Sequence, residues 1–382
     1  MVGQAVYGDG IYYYSLTRSI VKDQNIDISN DISHKFNPLS NNSFQTEKTE
    51  SVKTKSWFPI GPSLSWIPAF LAAEFIANNF RNVFPNNGYS DIYQFSVGLE
   101  NILFIVIGII IMFKLLSDFF SKKIALLTSF LFLFSTNLLF YGSLDVINSH
   151  PLSFLLGSIF IYYWWKTYKK RKIYQWFILG CWLGALGLTR TQDLIFGLFA
   201  FFDILVVLYR NKQTRLESLL KLFVSIMLFL TGILIVFLPQ LYYWKIIFGN
   251  YLANPYMKVG FSFLNPQIIG VLFNLKTGLL IWTPVFGLSI IALIRKIDKK
   301  PIFKYWLFFL ICQLYLIASW KEWHQGGSFS IRMILSSSIL YAVGLGLIVD
   351  FLYNRGIRYF VLMGFSLVCF NMAAIFIFLL YM

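Results

Sequence analysis

The stretch LFVSIMLFLTGILIVFLP, residues 222–239, decides the class of this chain. It carries no charged side chain, and a helix of ~17–25 predominantly apolar residues is what a hydrocarbon core of about 30 Å requires. A second stretch, ILFIVIGIIIMFKLL at 102–116, reads the same way. Working outward from these two, a hydropathy window finds roughly ten candidate spans from residue 94 onward. They lie near 94–116, 124–141, 151–165, 174–189, 194–209, 218–243, 277–294, 303–320, 330–350 and 358–380. The composition agrees, at 57% hydrophobic and 13% charged residues, against about 45–50% and about 25% in soluble domains. The expected fold class is an all-α polytopic membrane protein.

The net charge of +15 does not point to nucleic acid. Its Lys and Arg residues cluster in short loops between apolar segments, where the positive-inside rule expects them. Lys122–Lys123, KTYKKRK (166–172), YRNKQTR (209–215), RKIDKK (295–300) and NRGIR (354–358) fall on every second loop, which places those loops in the cytoplasm. NNGYSD (86–91), DVINSH (145–150), TRTQD (189–193), the 244–276 stretch and KEWHQGG (321–327) then face outside. Cys181, Cys312 and Cys369 sit in apolar stretches, and an odd number there is no disulfide framework.

Residues 1–93 are expected to form one external region ahead of a transmembrane domain at 94–382. If 63–83 crossed the membrane, every later basic loop would face outward. That segment also carries Glu74, Arg81, Pro62 and Pro68, so it is expected to be an amphipathic helix on the outer membrane surface. No signal peptide or anchor helix precedes this region. Either Met1 lies downstream of a missing first helix, which is the expectation, or a long N-terminal tail crosses unassisted.

Four external loci concentrate polar residues. The first is Asp9 in YGDGIYYY (7–14), with Tyr12 and Tyr13 behind it. The plain alternative is that Asp9 caps the helix beginning near Ile11. The second, LDVINSHP (144–151), puts Asp145 and His150 at a helix end. Ionisable groups at such depth are functional candidates, though a loop acid and His are also often only solvated. In GLTRTQDLIFG (187–197), Arg190 either pairs with Asp193 on one helix face or offers its planar fork to a phosphate. The fourth locus joins FNLKTGLLIWTPVFG (273–287) to SWKEWHQGGSFSIRM (319–333), which holds Trp323, His324 and Arg332. Interfacial Trp is ordinarily an anchor, whereas Arg332 inside an apolar span demands a polar partner or cavity.

The ordered motifs GDGIYYYSLTRSI, FPIGPSLSWIPAF, SHPLSFLLGS, LGLTRTQDLIFGL, KTGLLIWTPVFGL and WHQGGSFSIRM resemble the GT-C membrane glycosyltransferases. In particular they are similar to glycosyltransferase family 39, which includes protein O-mannosyltransferases and the aminoarabinose transferases of lipid A. The resemblance covers nearly the whole chain. It implies a GT-C-like bundle of about ten transmembrane helices, or eleven with the missing one restored. It also implies a polyprenyl-phosphate sugar donor and an active site on the outer face of the plasma membrane. The family's acid early in the first external loop falls at Asp9. Two departures bear on substrate and metal dependence: Asp9 is followed by Gly10 where the family often has a second acid, and no soluble C-terminal domain follows. A divalent metal ion is therefore a candidate cofactor only.

Within that resemblance, a carboxylate that takes the proton of an acceptor hydroxyl suits an inverting displacement. Asp9 is the expected base, with Asp145 the next acid. Arg190, Arg332, Lys258, Lys276 and His150 are expected around the donor phosphate, and Tyr12, Tyr13, Trp323 and His324 around the sugar or acceptor. The acceptor is a protein, lipid or glycan, and membrane lipids surround the whole. The competing functions are a ligase or polymerase of lipid-linked glycans, and a transporter. A transporter would use intramembrane charges and repeats, whereas this chain shows no repeat and collects its polar loci at one face.

Overall fold

The computed structural model describes residues 5–34, 56–210, 216–253 and 259–381. Among these the chain is helical, with one isolated bridge between Phe261 and Trp320. The principal helices are α1 (Gly10–Arg18), α2 (Ile67–Asn79), α3 (Asp91–Leu116), α4 (Lys122–Ser135), α5 (His150–Thr167) and α6 (Ile173–Thr189). They continue as α7 (Gly197–Arg210), α8 (Leu216–Phe248), α9 (Val285–Arg295), α10 (Ile302–Ser319), α11 (Ser338–Arg355) and α12 (Ile357–Tyr381).

Among the described residues, five helical stretches are long and apolar enough to cross a membrane: Asp91–Leu116, Leu219–Phe248, Ile302–Ser319, Arg332–Arg355 and Ile357–Tyr381. The chain is a multi-pass membrane protein. Every apolar segment expected from sequence coincides with helix, but several are broken. Near 124–141, α4 stops at Ser135 and a short helix resumes at Leu138–Ser143. Near 277–294, a turn at Leu279–Trp282 precedes α9, with Pro284 at the break. The missing amide of proline suits a helix start and not an interior.

Close helix contacts rest on small residues, since apolar lipid gives no hydrophobic drive for two helices to associate. A side chain on Gly180 of α6 would collide with the Phe229 carbonyl of α8, and one on Gly232 of α8 with the Phe177 carbonyl of α6. Gly184 repeats the contact one turn on, against Ile233. The Arg332–Arg355 stretch runs through the centre, with Tyr341, Val343 and Leu345 fully buried, while Leu362, Phe365 and Phe376 of α12 face outward.

The segment 63–83, expected as a surface helix, is helical over α2 and packs against α3. Trp66, Phe70, Ala73 and Ala77 form a fully buried stripe along α2, and Phe70 lies 4.7 Å from the Tyr93 ring of α3. Trp66 Nε1 donates to Asn101 Oδ1 at 3.0 Å. On the other side Leu71 and Phe75 are exposed. The helix therefore has apolar faces on both sides and no continuous polar one. Its acid, Glu74, is drawn in by Lys22 Nζ at 2.9 Å and by the Tyr93 hydroxyl at 2.5 Å. The N-terminal segment does not stand apart from the bundle: Val6, Ile11 and Tyr14 share a core with Ile147, Tyr243 and Trp244.

Candidate active site

Asp9 is carried on a tight turn at the start of α1. Gly8 has φ +54°, a left-handed conformation open to glycine. Gly10 lies flat against the Ile147 carbonyl, where any side chain would collide. The two glycines thus let α1 sit directly on the 145–149 loop. The carboxylate does not cap α1, because Asp9 makes no side-chain hydrogen bond to the helix amides. Instead Arg332 Nη2 meets Asp9 Oδ2 at 2.7 Å. This pair joins the two ends of the chain and answers the demand that an arginine in an apolar stretch find a polar partner.

Asp9, Tyr12, Tyr13, Arg190 and Arg332 line one cavity of about 550 Å³. Its walls come from α1, the residues after α6, the end of α10 and the turn opening at Arg332. All belong to segments that the charge pattern puts on one side of the membrane. Arg190 is in extended conformation at the C-terminus of α6, ahead of a 3-10 turn at Thr191–Phe196. Its Nη1 lies 2.9 Å from the His150 ring nitrogens and 3.3 Å from Ser149 Oγ. With the Gln192 amide turned so that its oxygen accepts, Arg190 Nη2 and Nε reach it at 2.6 and 2.7 Å. That is the bidentate edge of the guanidinium, held by a neutral group that an anion would displace. Burial pushes the Tyr13 hydroxyl up to about 12, and burial with the Asp9 charge raises Tyr12, so both stay protonated donors at neutral pH.

The remaining expected residues are placed differently. Asp145 stands behind the site rather than in it. Burial raises its pKa, while Asn148 and the Arg332 charge act the other way and the Tyr7 hydroxyl bonds to it. His150 is buried beneath Arg190, whose Nη1 its ring meets, and does not line the cavity. Asp193 does not pair with Arg190: its carboxylate accepts from Ser153 Oγ at 2.6 Å and Ser336 Oγ at 3.0 Å. Lys276 is exposed on a turn away from the cavity, and Lys258 lies outside the described residues. Trp323, half-buried, packs on Gly270 against the core, and His324 faces Glu322 at 3.0 Å, so of that loop Glu322 and Gln325 reach the cavity instead. The path of the loop explains this, since Gln325, Gly326 and Ser330 all have positive φ and reverse the chain there.

Among the wall residues not singled out from sequence are Trp57, Phe58 and Gln325. Trp57 and Phe58 form an aromatic side, with Phe58 5.1 Å from Tyr12 and 5.3 Å from Tyr13. Gln325 accepts from the Arg332 and Met333 amides at 3.1 and 3.3 Å, fixing the start of the arginine turn. Phe58 and Gln325 lie inside quoted motifs and Trp57 just before one, but a neutral polar or aromatic residue in a loop carries no signal of its own.

The donor set does not fit a divalent cation. Among the described residues no three His, Cys, Asp or Glu side chains are grouped to hold one, and the Asp9 carboxylate is engaged by a guanidinium. Hard cations are held by several oxygen ligands, and two arginines line this cavity.

Comparison with known proteins bears on the same site. A family model described as dolichyl-phosphate-mannose-protein mannosyltransferase matches residues 76–243. The match takes in Asp145, His150 and Arg190 and leaves Asp9 and Arg332 outside. No curated protein matches. A crystal structure of ArnT from Cupriavidus metallidurans in the apo state is similar in fold, with a TM-score of 0.55 at 12% sequence identity. The alignment covers 90% of this chain and 55% of that one, so the chain spans about half the length of the protein it matches. Together these support the resemblance to GT-C membrane glycosyltransferases similar to family 39.

Proposed function

We propose that this chain is a membrane glycosyltransferase moving a sugar from a polyprenyl-phosphate donor to an acceptor hydroxyl, with inversion, at the outer face of the plasma membrane. The observation that carries the reading is the Asp9–Arg332 pair at 2.7 Å, opening on a cavity that Arg190 also lines. The Asp9 carboxylate beside two guanidiniums, in an apolar-walled cavity that Glu322 also borders, is the complement of a reaction that removes a proton and releases a phosphate.

Arg332 holds Asp9 through Oδ2, and Oδ1 takes the proton of the acceptor hydroxyl. The acceptor oxygen forms its bond to the anomeric carbon from the side opposite the phosphate. The bond from that carbon to the phosphate oxygen breaks, and its electron pair leaves with the polyprenyl phosphate. Arg190 receives the developing charge by exchanging Gln192 for phosphate oxygens, in the bidentate geometry that lysine lacks. The rings of Trp57, Phe58 and Tyr12 offer flat apolar surface to the sugar or to the first isoprene units. Residues 1–93 act as the external region that carries the base, and 94–382 as the membrane domain.

The test is release of polyprenyl phosphate from a labelled lipid-linked sugar by purified full-length chain with a crude acceptor fraction. Transfer supports the reading. Binding of a small solute without turnover would favour a transporter and overturn it.

A further inference from the structure

Both site arginines open 3-10 turns, Arg190 just before Thr191–Phe196 and Arg332 at the start of Arg332–Ser337. One turn deeper, Asp193 sits between them, fully buried. It accepts from Ser336 Oγ, on the Arg332 turn, at 3.0 Å and from Ser153 Oγ, on α5, at 2.6 Å. Ser153 lies one helical turn after His150, whose ring meets Arg190 at 2.9 Å. Three segments that each present a residue at the site thus converge on a single carboxylate beneath it. Gln313 of α10 adds Nε2 to Ser336 Oγ at 3.3 Å, so the fourth wall is tied to the same point. Gly157 of α5 lets the Ser336 carbonyl approach directly, which keeps α5 and the arginine turn in contact.

From this convergence we infer that Asp193 is a positioning residue. Tying the two 3-10 turns to α5 fixes the distance between Arg190 and the Arg332–Asp9 pair, and so the separation of phosphate site and base. A carboxylate suits the task because it accepts from two hydroxyls at once, each of which has one proton to give. The geometry, and not the charge at the cavity, is what matters. The inference rests on the proposed transfer reaction for its kinetic consequence, though the clamp itself does not.

Asp193→Asn keeps the clamp, since one amide oxygen accepts and the amide nitrogen donates to the other serine, which can receive it. Asp193→Ala removes it, and Ser336→Ala cuts only the link to the Arg332 turn. Two readouts are taken on folded full-length protein. In sugar transfer, Asp193→Ala and Ser336→Ala are expected to lower kcat more than tenfold per folded molecule, while Asp193→Asn stays within about threefold of wild type. In phenylglyoxal labelling followed by mass spectrometry, Arg190 and Arg332 are expected to react faster in both alanine variants and at wild-type rate in Asp193→Asn. If both alanine variants match wild type in both readouts, or Asp193→Asn falls as far as Asp193→Ala, the inference is overturned. If wild type shows no transfer, the proposed function fails, and the labelling rates alone decide the clamp.

Discussion

Replacing Asp9 by Asn separates three roles that sequence alone leaves mixed. Asn caps a helix about as well as Asp, and Asp9 makes no capping bond to lose. What changes is the pair with Arg332, whose side chains are 31% and 19% exposed for Asp9 and Arg332 respectively. A charge-assisted hydrogen bond in that partly open setting contributes about 1–2 kcal/mol, and the amide oxygen recovers part of it. Removing a general base costs about 10²–10⁴ in rate, or about 3–5 kcal/mol of transition-state stabilisation. The catalytic loss therefore exceeds the structural one by a margin that two assays can resolve. Thermal unfolding of purified Asp9→Asn should fall by only a few degrees, and donor binding should stay within an order of magnitude. Sugar transfer on the same sample should drop at least a hundredfold. Robust transfer by this variant would refute the assignment of Asp9 as base, and Asp145 would be the next acid to test.

Arg190→Lys and Arg332→Lys keep the charge but lose the fork, so donor KM is expected to rise at least tenfold with normal membrane insertion. A wild-type KM would make either arginine structural. In a background without native cysteines, Lys276→Cys should react with an impermeant thiol reagent on intact cells, and Lys170→Cys and Lys299→Cys only after lysis. External labelling at Lys170 would invert the topology. Burial raises the Asp31 carboxyl from 3.8 to about 6 despite Tyr89 and Arg18. The folded state then binds the extra proton between those values, so Asp31 makes stability fall as pH rises through that window and costs up to about 3 kcal/mol above it. Thermal unfolding of Asp31→Asn between pH 4 and 7 should show a flatter profile than wild type; parallel profiles would discount the burial.

How much was legible follows from the range over which each feature is encoded. The spans are written locally, in runs such as 222–239, and each expected run is helical. The breaks were harder to see, because an interruption such as Thr136–Asn137, inside the expected span 124–141, is averaged away by a hydropathy window. The packing of 63–83 was not legible because its partner, Asn101, lies in another helix, and no local pattern marks Trp66 as buried. Arg332 stood out as a charge in an apolar span, where the cost of burial itself is the signal, while Asp9 and Arg190 drew notice as charges in external loops within motifs that resemble the family's. Their grouping did not, since the Asp9–Arg332 contact joins opposite ends of the chain. Lys276, Trp323 and His324 show the converse: every residue of an external loop looks equally eligible until the backbone reversals at Gln325, Gly326 and Ser330 decide which face inward.

The pairing of the first and last thirds of the chain also sets a schedule for biosynthesis. Asp9 leaves the ribosome well before Arg332, which follows only after the helices between them have been made. Until the Arg332–Arg355 stretch inserts, the early acid has no partner and the cavity lacks a wall. A chain interrupted before Arg332 leaves the cavity unfinished and Asp9 without its guanidinium.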